Sequence, residues 1–278
     1  MKLGVSYIAF DGIELLEHSI KQIRKHVDYV QVIYQGTSWF GHPIKNEDLV
    51  TLNSLKIKGL VDELTKFQDF IPLKDSLANS ISKAKVYEKT KRELGLKSAL
   101  RRGCTHYLCM DVDEFYLEEQ FAAAKAEIEK NDYGLTAVRF INYVNIPTLH
   151  RGYDPARVPF ICKINEKSFM TSRFFVKCDP TRGIASQVKT THDFDPESIT
   201  MHHMESIRKD LKTKYEATTR AIFKRSNMGV LIDNIKKASH TKPELDFNKI
   251  IFPALGKMRL TVCENRFEIP YEEWKKQK

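Results

Sequence analysis

The stretch THYLCMDVDEFY, residues 105–116, decides how this chain is read. Tyr107, Leu108, Cys109 and Met110 form a short apolar run of the kind that makes a buried strand. The run stops at Asp111-Val112-Asp113-Glu114, three carboxylates within four residues, and turns aromatic at Phe115 and Tyr116. Strand alternation sends Asp111 and Asp113 to one side, where both can face one divalent ion. Carboxylates that close repel each other unless a cation or a shared proton compensates them. Hard oxygen ligands at the carboxyl end of a buried strand suit Mg²⁺ or Mn²⁺ carrying a diphosphate. An acidic turn that caps a strand and opens a helix is the plainer alternative. The apolar strand before the carboxylates and the aromatic pair after them weigh for the metal site.

Upstream, LGVSYIAF (residues 3–10) ends in Asp11-Gly12 and reads as a strand and a turn. Ile13, Leu16, Ile20, Ile23 and Val27 recur at helical spacing, and DYVQVIYQG (28–36) is a second strand with its own Gly stop. Strand, helix and strand within about thirty residues is the pattern of a right-handed βαβ unit, hence of parallel strands. Such doubly wound sheets bind ligands outside the carboxyl ends of their strands. Residues 37–45 make a loop with Trp39, Phe40 and His42 as a candidate lip. Helix over 46–64, strand over 66–73 and a long basic helix over 77–102 follow, the last placing Lys91 and Arg92 within reach of a diphosphate.

Downstream, the patterns predict a helix over 117–130 and a strand over 136–143. A Pro-broken region over 146–160 precedes strands at 159–164 and 172–177, with turns at 179–183 and 192–196. The pair His202-His203 precedes a basic helix over 206–225. On a strand the two imidazoles point to opposite faces, so at most one of them reaches the site. His203 is favoured as a nitrogen ligand to the ion, with Arg208 and Lys212 on the following helix holding phosphate oxygens. A late strand is expected near 259–263. The fold class is therefore α/β, a doubly wound and mostly parallel sheet flanked by helices. Residues 1–215 form the catalytic domain and 216–278 a mainly helical, basic extension.

The 278 residues are enough for one large α/β domain, and 42% hydrophobic with 29% charged content is that of an ordinary globular protein. No apolar run approaches the ~20 residues of a membrane span, and Asp11 interrupts the N-terminus too early for a secretory signal. Five scattered cysteines without a C-x-x-C pair indicate neither a disulfide framework nor a zinc site, and the reducing cytoplasm is the expected compartment. The net charge of +9 suits nucleic acid, anionic lipid headgroups or a phosphorylated substrate as partner, with a generic basic surface as the plainer alternative. No P-loop, dinucleotide fingerprint or nucleophile elbow occurs, so a diphosphate would be held by metal and cations.

The segment KVYEKTKRELGLKSALRRGCTHYLCMDVDEFY resembles the nucleotide-sugar core of GT-A-fold glycosyltransferases, in particular family 2-like members with a D-x-D-E-F pattern. HHMESIRKDLKTK is similar to the segment that gives those enzymes a histidine ligand and a basic helix. The resemblance spans roughly residues 3–215 in element order and is specific only at these two motifs. It implies Mn²⁺ or Mg²⁺ held by Asp113, by Asp111 (or Asp111 on the ribose) and by His203. It places Tyr7, Ala9 and Asp11 beside the nucleoside of a UDP-sugar donor and leaves Asp193, Asp195 and Glu205 competing as catalytic base. The chain's small, Lys-rich style also resembles phage enzymes that glycosylate hydroxymethylated bases in DNA. Lys209, Lys212, Lys214, Arg220, Lys224 and Arg225 would then track phosphates. A lipopolysaccharide or capsule glycan is the competing acceptor. Outside glycosyl transfer stand a metal-dependent nuclease or nucleotidyltransferase, recruiting Glu114 or Asp69, and a non-catalytic nucleic-acid-binding protein.

Overall fold

The computed structural model describes residues 1–39, 41–67, 77–217, 228–246 and 257–276. The N-terminal half is the expected βαβ winding. Strand β1 (Leu3–Ala9), helix α1 (Ile13–Ile23) and β2 (Tyr29–Gln35) are followed by α2 (Asn46–Ile57) and β3 (Glu63–Phe67). The long helix α3 (Leu77–Arg101) then leads into β4 (His106–Asp111). The sheet runs β3-β2-β1-β4 with all four strands parallel, and β9 (Cys162–Lys163) adds an antiparallel edge. Every residue of β1 is buried, as a strand with helices on both faces requires. Helix α3 lies close on this sheet because Gly95 lacks a Cβ. An added Cβ there would sit 2.5 Å from Ser6 Oγ.

The second half forms a mixed sheet. Strand β6 (Leu135–Val144) pairs antiparallel with β7 (Ile146–Tyr153) and parallel with β13 (Thr200–His203). β13 in turn pairs antiparallel with β5 (Glu114–Phe115), in the register His203 opposite Glu114. This seam brings the histidine segment beside the carboxylates, across ninety residues of sequence. A second apolar core, from Leu15 and Phe115 to Trp274, fills the space under β6 and β7. Residues from the described part of 216–278 share that core, and Thr261–Val262 pairs with β7. Two helices (Met228–Lys237 and Tyr271–Lys276) stand there beside short strands at Glu244–Asp246, Lys257–Arg259 and Thr261–Val262.

Several boundaries differ from the sequence expectation for local reasons. α2 stops at Ile57 because Gly59 adopts φ 71° and the chain hooks back, Leu60 donating to the Leu55 carbonyl. The Pro-broken region expected over 146–160 contains a full strand, since the pairing with β6 outweighs one Pro, Pro147, next to the strand's first residue. The basic helix expected from residue 206 begins at Leu211. Residues 204–210 are instead drawn inward by Arg208, and Asp210 caps the helix by accepting from the Thr213 N–H at 3.0 Å. The strand expected over 172–177 is bends, and the hairpin at that end is Phe169–Thr171 with Gly183–Ala185. Part of the strand expected over 66–73 and of the helix expected over 206–225 lies outside the described residues.

Candidate active site

A cleft of about 640 Å³ opens where β1, β2 and β4 end, roofed by residues 177–182 and by the β6–β7 ribbon. Its floor is the acidic motif, and every carboxylate there is paired with at least one cation. Asp111, at the last position of β4, is gripped by Arg92 from α3 at 3.0 Å and by Arg182. Arg182 also reaches Glu114 at 2.6 Å, while Glu114 accepts the Asp111 N–H at 3.0 Å. Asp113 turns the other way, to Arg208 at 2.6 Å, Lys214 at 3.1 Å and His203 Nε2 at 3.6 Å. Burial alone would raise both aspartates. The facing cations overcome it, holding Asp111 below the ordinary carboxylate range and Asp113 well below it. For Glu114 burial wins over Arg182, and its pKa is raised.

Two of these guanidiniums keep a spare donor. Arg92 Nε and Arg182 Nη1 are buried N–H groups with no hydrogen-bond partner among the described residues. An unpaired donor in a buried charged group is costly, and both residues line the cleft. A phosphate oxygen would satisfy such donors in a charge-assisted bond. Deeper toward α3, Lys91 is buried beneath Trp39, 4.9 Å from the ring centre, and bonds Glu88 at 2.8 Å and Gln35. Burial lowers its pKa. Trp39 stacks on Tyr87 with centroids 5.9 Å apart, giving this end of the cleft a flat aromatic wall.

The two histidines divide as strand alternation requires. His202 faces the second core, donates to or accepts from Tyr143 Oη at 2.9 Å, and is pushed down to about 3 by burial. His203 faces the cleft. Burial would lower it, yet Asp113 raises it above its usual value. Its Nδ1 lies 2.8 Å from the Asn142 amide, whose oxygen, turned to Arg151, accepts at 2.9 and 3.2 Å. Asn142 and Arg151 therefore clamp the ring from behind.

The other sequence candidates fall in distinct places. Ala9, Asp11, Lys91 and Glu205 line the cleft, whereas Tyr7 lies buried beneath it with its hydroxyl 3.0 Å from Ser19 Oγ. Asp193 is tied to Arg157 at 2.9 Å and Asp195 caps a turn by accepting the Glu197 N–H at 2.9 Å; neither lines the cleft. Among the cations proposed to track phosphates, Lys214 is directed inward onto Asp113. Lys209 lies over the Trp274 ring at 5.5 Å, and Lys212 is exposed. Arg220, Lys224, Arg225 and Asp69 lie outside the described residues. Sequence reasoning missed Arg182, Asn142 and Arg151. Arg182 ends the turn DPTR, in which Asp179 accepts from the Thr181 N–H and hydroxyl, both at 2.7 Å. The only signal for it was an Asp-Pro turn that carries a cation.

Whether these residues suit a divalent ion can be tested on their donor atoms. Among the described residues there is no group of three or more His, Cys, Asp or Glu arranged to hold one. Asp113 Oδ2 and His203 Nε2, 3.6 Å apart, are too distant for a good hydrogen bond. They are near enough to share an ion with bonds of about 2.1 Å. A carboxylate oxygen and an imidazole nitrogen are donor types that Mn²⁺ accepts. The same Asp113 oxygen already takes Arg208 at 2.6 Å and Lys214 at 3.1 Å, so an ion held by this pair would have to displace those cations. Asp111 is likewise held by two arginines, Arg92 and Arg182.

No family model matches the chain, and no curated protein matches it. Solved structures overlap part of it. S. aureus TarS 1–349 in complex with UDP-GlcNAc superposes with a TM-score of 0.36 and 13% identity over 51% of this chain and 35% of that one. The same protein in complex with UDP gives 0.35 and 12% over 51% and 36%. CMP:2-keto-3-deoxy-manno-octonic acid synthetase complexed with CTP gives 0.32 and 7% over 59% and 72%. The chain thus spans about a third of the length of those TarS chains. Among the described residues no helix is long and apolar enough to cross a membrane.

Proposed function

We propose that this chain is a glycosyltransferase that takes a sugar from a nucleoside-diphosphate donor, a UDP-sugar by the sequence resemblance, and passes it to a hydroxyl acceptor. The observation that carries the reading is a pair of arginines, Arg92 and Arg182, that line a cleft at the carboxyl ends of parallel strands and each keep a buried N–H without a partner among the described residues. In this reading the diphosphate lies beside Arg92 and Arg182, whose buried N–H groups turn to it as it binds. The nucleoside runs toward Trp39 and Lys91, and the sugar toward Asp113 and Lys214. The acceptor oxygen forms its bond to the anomeric carbon as the carbon–oxygen bond to the diphosphate breaks, and the electron pair leaves with the phosphate. Arg92, Arg182 and Lys214 offset the charge that builds there. Glu205, the one candidate base of three that lines the cleft, takes the acceptor proton. A bound Mn²⁺ or Mg²⁺, held by Asp113 and His203, would supply Lewis-acid stabilisation of the leaving diphosphate.

A hydroxymethylated base in DNA is a second acceptor reading, favoured by the net charge of +9. The test is release of UDP from a panel of UDP-sugars with and without Mn²⁺, by wild type and by Asp113→Asn and Arg182→Gln, with glycan or hydroxymethylcytosine-containing DNA added. Turnover in wild type, reduced at least a hundredfold in both variants, supports the assignment. Absence of both binding and turnover across the panel refutes it. Stimulation by the DNA alone selects the second acceptor.

A further inference from the structure

A second cavity of about 510 Å³ lies beside the cleft and shares Phe10 and Asp11 with it. It is bounded by the turn after β1, the start of α2, residues 208–213 and the last described helix. Its size falls within the range of small-molecule sites, about 300–1,000 Å³. Its walls combine two kinds of surface. One is apolar, with Phe10, Pro43, Ile44, Pro270 and the buried Trp274. The other is acidic, with Asp11, Glu14, Glu47, Asp48 and Asp210.

The cations of the cavity are already engaged. Arg208 is held by Asp113 at 2.6 Å and Asp11 at 3.4 Å, Lys45 by Asp210 at 3.3 Å, and Lys209 lies over Trp274. Five carboxylates thus face three committed cations. A phosphate chain entering here would meet uncompensated like charge. A polyol meets the opposite situation. Its hydroxyls donate to carboxylate oxygens, and the apolar faces of its rings lie on Trp274 and the prolines. Burial and the neighbouring Glu14 push Asp48 up to about 6, consistent with carboxylates short of donors.

We infer that this cavity is the acceptor site and that it takes a neutral or amine-bearing saccharide, entering the cleft past Asp11. The inference rests on the glycosyltransferase reading and adds the class of acceptor. Asp11 marks the junction: it lines both cavities, contacts Arg208, and lies in the field of Lys214 together with Asp113 and Glu205. A saccharide hydroxyl emerging there arrives beside both the donor's sugar and the proposed base.

The test measures donor and acceptor separately on the full chain. UDP binding is followed by calorimetry, and saccharide binding on an array of mono- and disaccharides that includes amino sugars, with hydroxymethylcytosine-containing duplex DNA as the polyanion. The expected result is a neutral or amine-bearing saccharide that binds without displacing UDP. Asp48→Asn and the milder Trp274→Phe should each weaken it at least fivefold and change UDP affinity less than twofold. Equal weakening of UDP by both variants would overturn the inference by making the cavity part of the donor site. DNA binding strengthened by Asp48→Asn, with no saccharide bound, would overturn it in favour of a polyanion. A saccharide bound as expected by a chain that binds no UDP would refute the donor reading and the acceptor role with it.

Discussion

Replacing Arg182 with Gln tests the electrostatic account of the site directly. Arg182 is buried and serves two carboxylates, Asp111 and Glu114, the latter at 2.6 Å. The substitution leaves Asp111 with Arg92 alone and Glu114 with the Asp111 N–H as its remaining neighbour among those contacts. Removing one partner of a buried ion pair costs about 3–5 kcal/mol, because the other charge stays behind in low dielectric. The cost depends on pH through Glu114, whose pKa is already raised by burial and would rise further without Arg182. A carboxyl with a raised pKa in the fold binds its proton more readily there than in the unfolded chain. Stability therefore falls as pH climbs from the unfolded value of ~4.3 through the folded one. Urea denaturation should show Arg182→Gln destabilised by about 3 kcal/mol or more at pH 8 and by at least ~1 kcal/mol less at pH 5. Arg182→Lys, which keeps a charge but not the forked geometry, should fall between. A loss below about 1 kcal/mol, or one equal at both pH values, would refute the claim that Arg182 compensates these two carboxylates.

Two further substitutions probe the elements that hold the site. Gly12 adopts φ 74° at the start of α1, and a Cβ there would lie 2.7 Å from the Arg208 guanidinium carbon. Gly12→Ala should cost about 2–4 kcal/mol from backbone strain and displacement of Arg208, and should weaken UDP binding; unchanged urea midpoint and affinity would contradict it. For Asp48, the displacement from 3.8 to about 6 amounts to roughly 3 kcal/mol without screening and about 1 kcal/mol for a half-buried group. Its raised pKa means that its share of stability, full below ~3.9, is lost as pH rises through about 6. Asp48→Asn should accordingly gain about 1 kcal/mol at pH 8 and nothing at pH 4 in thermal melts, and an equal shift at both would exclude the cause given.

The parts of this molecule written in short-range patterns were legible in its sequence. The buried runs of β1, β2 and β4 announce themselves by continuous apolar residues, and Asp111 does lie at a strand end over a cleft. The split between His202 and His203 follows from the two-residue period of a strand, and β13 pairs with β5 so that His203 meets Asp113. What compensates the carboxylates was not legible. A pattern shows the acids together and not the cations that reach them. Arg182 arrives from a turn 71 residues after Asp111, and Arg208 from a segment 95 residues after Asp113. Neither position has a periodicity that marks it. Lys214 sits in a basic stretch whose composition reads as surface, yet its ammonium lies on buried Asp113.

The reach of Arg208 bears on the order in which the chain is assembled. Strands β1, β2 and β4 with helices α1 and α3 are complete once about 115 residues have been made. At that stage Asp113 has met none of Arg208, Lys214 or His203. A nascent sheet of that length carries an acidic hole at its edge. Its closure waits for nearly a hundred more residues and for β13 to zip along β5. Contacts of such long sequence separation form slowly. Chains that end before Arg208 therefore leave Asp113 without either of the cations, Arg208 and Lys214, that pair with it in the finished fold.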